Sequence, residues 1–288
     1  MIAAVAPALP VPDRGAEPVV LTGSRATLVV RLGGTIVRFP RDEEGHRRQE
    51  LQVRLLPVLS GRLPAAVPSP LTVVDPTPGL PFGALAYPRL PGRALAPGDE
   101  ETWPSIAGDL AHLLASIHGT PVSRATAAGV PIWSAAERMP ELEAAVGPAL
   151  ADSLSADEAT RFSYRWDDAV AVLALHPPAP LLCHGDPWYD NLLIDETSGR
   201  IVAVLDFEHA LIADVALDLA AVFHMSEPFG RAVVEGYEER RGLDPSLRAR
   251  IAAHRLIREV AGLADAVAGD PLEVPEQVAK IRPLLSAT

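Results

Sequence analysis

A chain of 288 residues is long enough for two lobes at ~150 residues each, and for burying about 75% of its unfolded surface without a disulfide or metal staple. Hydrophobic residues make up 48% and charged residues 22%, with 37 acidic against 25 basic side chains and a net charge of −12. That balance excludes wholesale disorder and disfavours a nucleic-acid binder, whose affinity rests on neutralising phosphates.

The apolar start, Met1 to Pro12, has no Lys or Arg ahead of it and is interrupted by Pro7 and Pro10. It is too short and too broken for a signal peptide or a membrane span. Three strands are predicted next, at Val19–Leu21, Thr27–Leu32 and Thr35–Phe39, with Gly33-Gly34 as the hairpin turn between the last two. From Asp42 to Leu59 the spacing of Leu51, Leu55, Leu56 and Leu59 predicts a helix. A proline-rich stretch leads to strands near Leu71–Val74 and Phe82–Tyr87. Pro88, Pro91, Gly92 and Pro97 then form a connector. The expected organisation is a smaller N-terminal lobe at 1–87, a linker at 88–97, and a helical lobe at 98–288.

In the second lobe, Pro104 to His118 places Ile106, Leu110, Leu113, Leu114 and Ile117 on one helical face, and Gly119 stops it. Residues 134–150 and 156–175 read as two more helices. Leu181–Cys183, Leu192–Ile194 and Ile201–Leu205 are short apolar runs, and helices are predicted from Leu211 to the end. The layout is α+β, with a small β-rich N-lobe and a larger helical C-lobe. Cys183 is alone, so no intrachain disulfide forms; a reduced, cytoplasmic setting away from membranes is expected. Lys280 is the only lysine, so a cation required anywhere else must be arginine or histidine.

The stretch Cys183-His184-Gly185-Asp186-Pro187-Trp188-Tyr189-Asp190-Asn191, followed by Asp206 in Val204-Leu205-Asp206-Phe207-Glu208, carries the chemistry. Phosphoryl transfer needs a carboxylate to orient the attacking hydroxyl and accept its proton. It also needs a hard oxygen ligand and a second carboxylate to hold Mg2+ on the phosphates. Asp186, Asn191 and Asp206 supply that set. Taken alone, Asp186 before Pro187 also suits a turn or helix cap. His184 is expected to be structural, tying the loop to the strand ahead of Asp206. A His–carboxylate metal site lacks a second histidine at ligand spacing.

These residues resemble the aminoglycoside phosphotransferase family, antibiotic kinases with a protein-kinase-like bilobal fold. The loop pattern H-G-D-x-x-x-x-N matches His184 through Asn191, and the Mg-binding aspartate matches Asp206. A trailing motif matches Asp214 and Asp218-Leu219-Ala220, with Val215 where proline is usual. Leu113 to His118 resembles the helix ending in a Leu/Ile-His pair. The resemblance spans roughly residues 35–225.

It implies an ATP- or GTP-dependent, Mg2+-dependent transfer to a hydroxyl, with Asp186 catalytic and Asn191 and Asp206 on the metal. Arg38, in Ile36-Val37-Arg38-Phe39-Pro40-Arg41, stands at the phosphate-clamp lysine position; Glu50 is its candidate partner, with Glu43 and Glu44 as alternatives. Ser24, beside Gly23 and Arg25, is the candidate phosphate-loop residue, and an ordinary hairpin turn is equally open there. In the connector Tyr87-Pro88-Arg89-Leu90, the Pro88 carbonyl and the Leu90 N–H fall where a purine is read, so proline removes no donor that is needed. On the acceptor side stand Trp188, Tyr189 and Asp190 of the loop, with Glu208, Glu235, Glu238, Glu239, Glu259 and Asp265 on later elements. Such carboxylates fit a small cationic antibiotic, aminoglycoside-like or macrolide; solvated helix faces are their ordinary alternative. A metabolic kinase of sugars or amino alcohols and a non-catalytic nucleotide-binding pseudokinase are the competing functions.

Overall fold

The apolar start is not a bare tail. In the computed structural model, which describes residues 1–23, 27–69, 72–96 and 103–286, it forms a short helix, α1 (Ile2–Val5), and two 3-10 turns. Ser24, Leu71 and Pro97 lie outside the described residues. Val5 and Leu9 are buried against Val30, Leu32, Val37 and Phe39 on one face of an antiparallel sheet. That sheet contains β1 (Pro18–Gly23), β2 (Thr27–Leu32), β3 (Thr35–Pro40), β4 (Thr72–Val74) and β5 (Ala84–Pro88), in the order β1-β2-β3-β5-β4. Strand alternation puts Val37 and Phe39 on that face and Ile36 and Arg38 on the other. Ile36 pairs with Tyr87 across the β3–β5 ladder, and Arg38 pairs with Leu85.

Helix α2 (Glu43–Leu59) follows, capped by Asp42, whose carboxylate accepts the Gly45 N–H at 2.7 Å. Its leucines, Leu51, Leu55, Leu56 and Leu59, pack into the large core of the helical lobe rather than into the sheet's own core. Beyond β5, the connector predicted to be irregular contains a strand, β6 (Arg93–Ala94), which pairs with β8 (Leu192–Ile194).

The helical lobe holds α3 (Trp103–His118), α4 (Val122–Ala127), α5 (Ala135–Ser153) and α6 (Ala156–Leu175). After these come β7 (Leu181–Cys183), β8, β9 (Ile201–Val204) and β10 (Leu211–Ala213), then α7 (Ala216–Ala221), α8 (Glu227–Arg241), α9 (Leu247–Ala268) and α10 (Val274–Ser286). A helix was expected from Leu211; instead Leu211–Ala213 pairs antiparallel with β7, and helix begins only at Ala216. Three apolar residues carry no periodicity, and their partner strand lies about thirty positions earlier. α5, α6, α9 and α10 share a second core. Among the described residues no helix is long and apolar enough to cross a membrane.

A buried ion network locks α9 to the turn before α7. Arg250 donates to Asp214 at 2.8 Å and to Asp244 at 3.0 Å, and His254 lies 3.4 Å from the same Asp214 oxygen. Burial opposes the charge on Asp214, yet the neighbouring His254 ring and bonds from the Ala216 N–H and Arg250 outweigh it and hold its pKa below the ordinary carboxylate value. Arg250→Ala strands that carboxylate and is expected to cost about 3–5 kcal/mol, read as a shift in urea unfolding midpoint at constant m-value.

Candidate active site

The loop between β7 and β8 is held from below by one carboxylate. Asp218, in α7 and fully buried, accepts the His184 N–H at 2.7 Å and the Gly185 N–H at 2.8 Å. His118, at the end of α3, approaches the same carboxylate at 3.1 Å and meets Tyr237 of α8 at 2.9 Å through its other nitrogen. Burial works against the charge of Asp218; hydrogen bonding to His118, the His118 and His184 rings, and the Gly185 N–H overcome it, so its pKa lies below the ordinary value. Gly185 has φ 87°, and a Cβ there would come within 2.0 Å of the His209 carbonyl, so no other residue fits.

His184 performs the structural task expected of it. Its Nδ1 accepts the Asp186 N–H at 3.2 Å, so Nε2 carries the proton and donates to the Leu205 carbonyl at 2.8 Å. The ring sits 4.5 Å from that of Phe207. The loop is thereby tied to the residue immediately before Asp206. Asp206 itself is the only non-glycine residue with positive φ among those described, at φ 62° and ψ 61°. Such a conformation is tolerated by aspartate and recurs at functional sites.

Asn191 donates its amide N–H to the Asp186 carbonyl at 3.0 Å and stands 3.5 Å from the Asp186 carboxylate. With the amide nitrogen engaged, its oxygen remains as the atom for a hard cation. Asn191 and Asp206 line the same cleft, so an amide oxygen and a carboxylate converge there, a donor set that fits Mg2+.

That cleft, about 450 Å³, runs between the sheet and the helical lobe. Leu21, Val29 and Ile36 roof it, Leu193 and Leu205 form its floor, and Leu90 and Gly92 of the connector close one side. Pro88 ends β5 as an exposed residue paired with Thr35 and is not among the lining side chains. Arg38 projects into the cleft and donates to Glu208 at 2.6 Å and to Asp206 at 3.1 Å. Burial disfavours its charge, but Asp206, Tyr87 and Glu208 outweigh that and raise its pKa above the ordinary arginine value.

Glu50 is not brought to Arg38. Its side chain is 52% exposed and lies 3.7 Å from both His46 and Arg54 on its own helix. The left-handed turn at Asp206 instead swings Glu208, 4% exposed, beneath the guanidinium. Glu208 is therefore the inner partner of Arg38 and not an acceptor residue. Its pKa is raised by burial and by Asp206, with Arg38 offsetting part of the rise.

The acceptor expectations divide. Trp188 lines a second, outer cleft of about 360 Å³ beside Asp186, together with Glu259. The Tyr189 ring lies 4.4 Å from that of Trp188, tilted by 40°. Asp190 faces the first cleft instead, its pKa raised by burial and by the Asp186 charge. Glu238 is paired bidentately with Arg248 at 2.6 and 3.0 Å, while Glu235, Glu239 and Asp265 are exposed helix residues outside the outer cleft. His224 and Arg258 of the outer cleft have no forerunner in the sequence reading, and Lys280, noted there as the only lysine, was given no site. Arg258 reaches to 3.4 Å from Asp186 across 72 positions, and no local motif signals it.

The model of the phosphotransferase enzyme family matches residues 18–276. An aminoglycoside 3'-phosphotransferase of Escherichia coli is 29% identical over 160 residues, covering 54% of this chain and 56% of that protein. The chain thus matches little more than half the length of this curated relative. Among solved structures, the GDP and kanamycin complex of APH(2")-IIia superposes with a TM-score of 0.83 at 20% identity, covering 95% of each chain. The macrolide 2'-phosphotransferase MphH from Brachybacterium faecium superposes with a TM-score of 0.67 at 22% identity, covering 93% of this chain and 92% of its own. The fold is shared with both.

A depressed carboxylate contributes stability above its unfolded pKa and loses that contribution as pH falls through its folded value. Asp218 is expected to sustain folding at neutral pH, with stability falling below about pH 4. Asp218→Asn is expected to cost about 1.5–3 kcal/mol at pH 7 and to shrink that acid-limb loss, read by urea titrations across pH.

Proposed function

The chain belongs to the phosphotransferase enzyme family, and from that premise we propose that it moves the γ-phosphoryl group of ATP or GTP to a hydroxyl of a small molecule. Antibiotics are the acceptor class that its relatives' names support. One observation carries the reading: Asn191 and Asp206 line the inner cleft, Asn191 bonds the Asp186 carbonyl at 3.0 Å, and Asp186 lines the outer cleft, an arrangement that suits a nucleotide in the first and an acceptor in the second.

In this reading Asp186 orients the acceptor hydroxyl and takes its proton as the new O–P bond forms. The bond between the γ-phosphorus and its bridging oxygen breaks, and the nucleoside diphosphate leaves with that oxygen. Asn191 and Asp206 would hold Mg2+, which neutralises charge on the phosphate oxygens. Arg38 adds a fixed positive charge behind Asp206, with Glu208 keeping the guanidinium in place. Arginine presents a planar fork where lysine presents a point charge, so the phosphates meet a wider, more rigid donor. The GDP–kanamycin complex of one structural neighbour and the streptomycin–ATP complex of another support a nucleotide donor and leave ATP and GTP both in play.

A transfer assay with ATP and GTP over aminoglycosides, macrolides and amino sugars tests the reading. Phosphorylated product is expected from at least one acceptor; nucleotide binding with no transfer to any would make the protein a pseudokinase. Asp186→Ala is expected to abolish transfer while leaving nucleotide affinity near that of the parent. Arg38→Ala is expected to weaken nucleotide binding or turnover at least ~10-fold, the loss of one charge-assisted contact of about 1.4 kcal/mol. Unchanged affinity and rate would remove Arg38 from the site.

A further inference from the structure

The Asp218 anchor fixes the backbone of the loop at His184 and Gly185, one residue short of Asp186. That anchor leaves the side-chain torsions of Asp186 unset, and the side chain is 35% exposed. A like charge stands nearby in Asp190, whose pKa is raised by burial and by the Asp186 carboxylate. Two groups oppose a swing of that carboxylate, one at each oxygen. Asn191 Nδ2 lies 3.5 Å from Oδ2, and Arg258 Nη2 lies 3.4 Å from Oδ1.

Arg258 reaches the loop because α9 is registered against it. Arg250, His254 and Arg258 follow one another at a spacing of four on α9, so they share one face of the helix. The first two are buried against Asp214 at 2.8 and 3.4 Å, which fixes α9 relative to the turn before α7. About one turn further along, the same face brings Arg258 to Asp186. Both partners are about one-third exposed, so the pair adds little to folding stability. The pairing leaves Arg258 no unmatched charge for a ligand, and its effect falls on the carboxylate. A guanidinium beside a base weakens it, but phosphoryl transfer asks the carboxylate mainly for orientation.

We propose that Arg258 is a positioning residue, which holds the Asp186 carboxylate at the angle from which it meets the acceptor hydroxyl. It acts through Asp186 and on no reacting atom. The inference rests on the phosphotransfer reading of Asp186 and adds a residue to it from a helix 72 positions away.

Turnover is read as nucleoside diphosphate release from MgATP and MgGTP, with kanamycin, erythromycin, glucosamine or water alone as acceptor. Arg258→Ala is expected to lower kcat ~10–100-fold, the scale of a misplaced reacting group, with acceptor KM and nucleotide affinity within ~3-fold of the parent. Its urea unfolding midpoint is expected to match that of the parent, whereas loss of a structural contact would lower it. Arg258→Lys, which keeps the charge, is expected to turn over at least ~3-fold faster than Arg258→Ala, and Arg258→Gln no faster. A parental kcat in Arg258→Ala, a loss carried by KM or nucleotide affinity, a lowered unfolding midpoint, or no recovery with lysine overturns the proposal. Failure of the phosphotransfer reading looks different: the parent itself releases no diphosphate with any acceptor, and the proposal falls with it.

Discussion

A single buried carboxylate organises the site. Asp218 sits where two consecutive backbone N–H groups of the loop, those of His184 and Gly185, point inward with no strand to receive them. Buried donors without acceptors are costly, and a charged acceptor satisfies both at once. Because α7 carries Asp218 and α3 carries His118, the loop's height is set by the packing of the helical lobe beneath it. The side chain of Asp186 is then placed by elements it never touches.

The second constraint runs sideways, from β3 to the turn after β9. His184 ties the loop to Leu205, and the next residue, Asp206, adopts a left-handed conformation. That conformation sends Asp206 toward Asn191 and Glu208 toward Arg38, so a cation from the sheet and a carboxylate pair from the helical lobe meet in the cleft between them. Each lobe supplies a charge that the other neutralises. The inner cleft therefore has Arg38, Asn191 and Asp206 in its lining alongside the apolar Leu21, Val29, Ile36, Leu193 and Leu205.

How much of this was legible follows from distance along the chain. Asp186 and Asn191 lie within one loop, and Asp206 terminates a short apolar strand, so spacing alone gathers them. Arg38 was visible only through the resemblance of Ile36 to Arg41 to the family's phosphate-clamp segment. Its partner was not, because the resemblance implies a glutamate on the following helix, Glu50, whereas the actual partner depends on one backbone angle at Asp206 that no periodicity encodes. Arg258 and Lys280 were illegible for a related reason. They reach the loop only because α9 and α10 pack in the second core, a tertiary outcome with no local signature. β10 escaped notice because three residues are too few to show a period.

The placement of α2 has a further consequence. Its leucines are interlocked with α3 and the strands of the helical lobe, while the sheet keeps a separate core formed with the N-terminal segment. By sequence α2 belongs to the first lobe; by cooperativity it belongs to the second. Amide protons of α2 are therefore expected to exchange with the helical unit, and the five strands to open as a smaller unit. On the proposed function, a nucleotide in the cleft is expected to stabilise that smaller unit most, so that exchange slows in β1 to β5 before any change in α2.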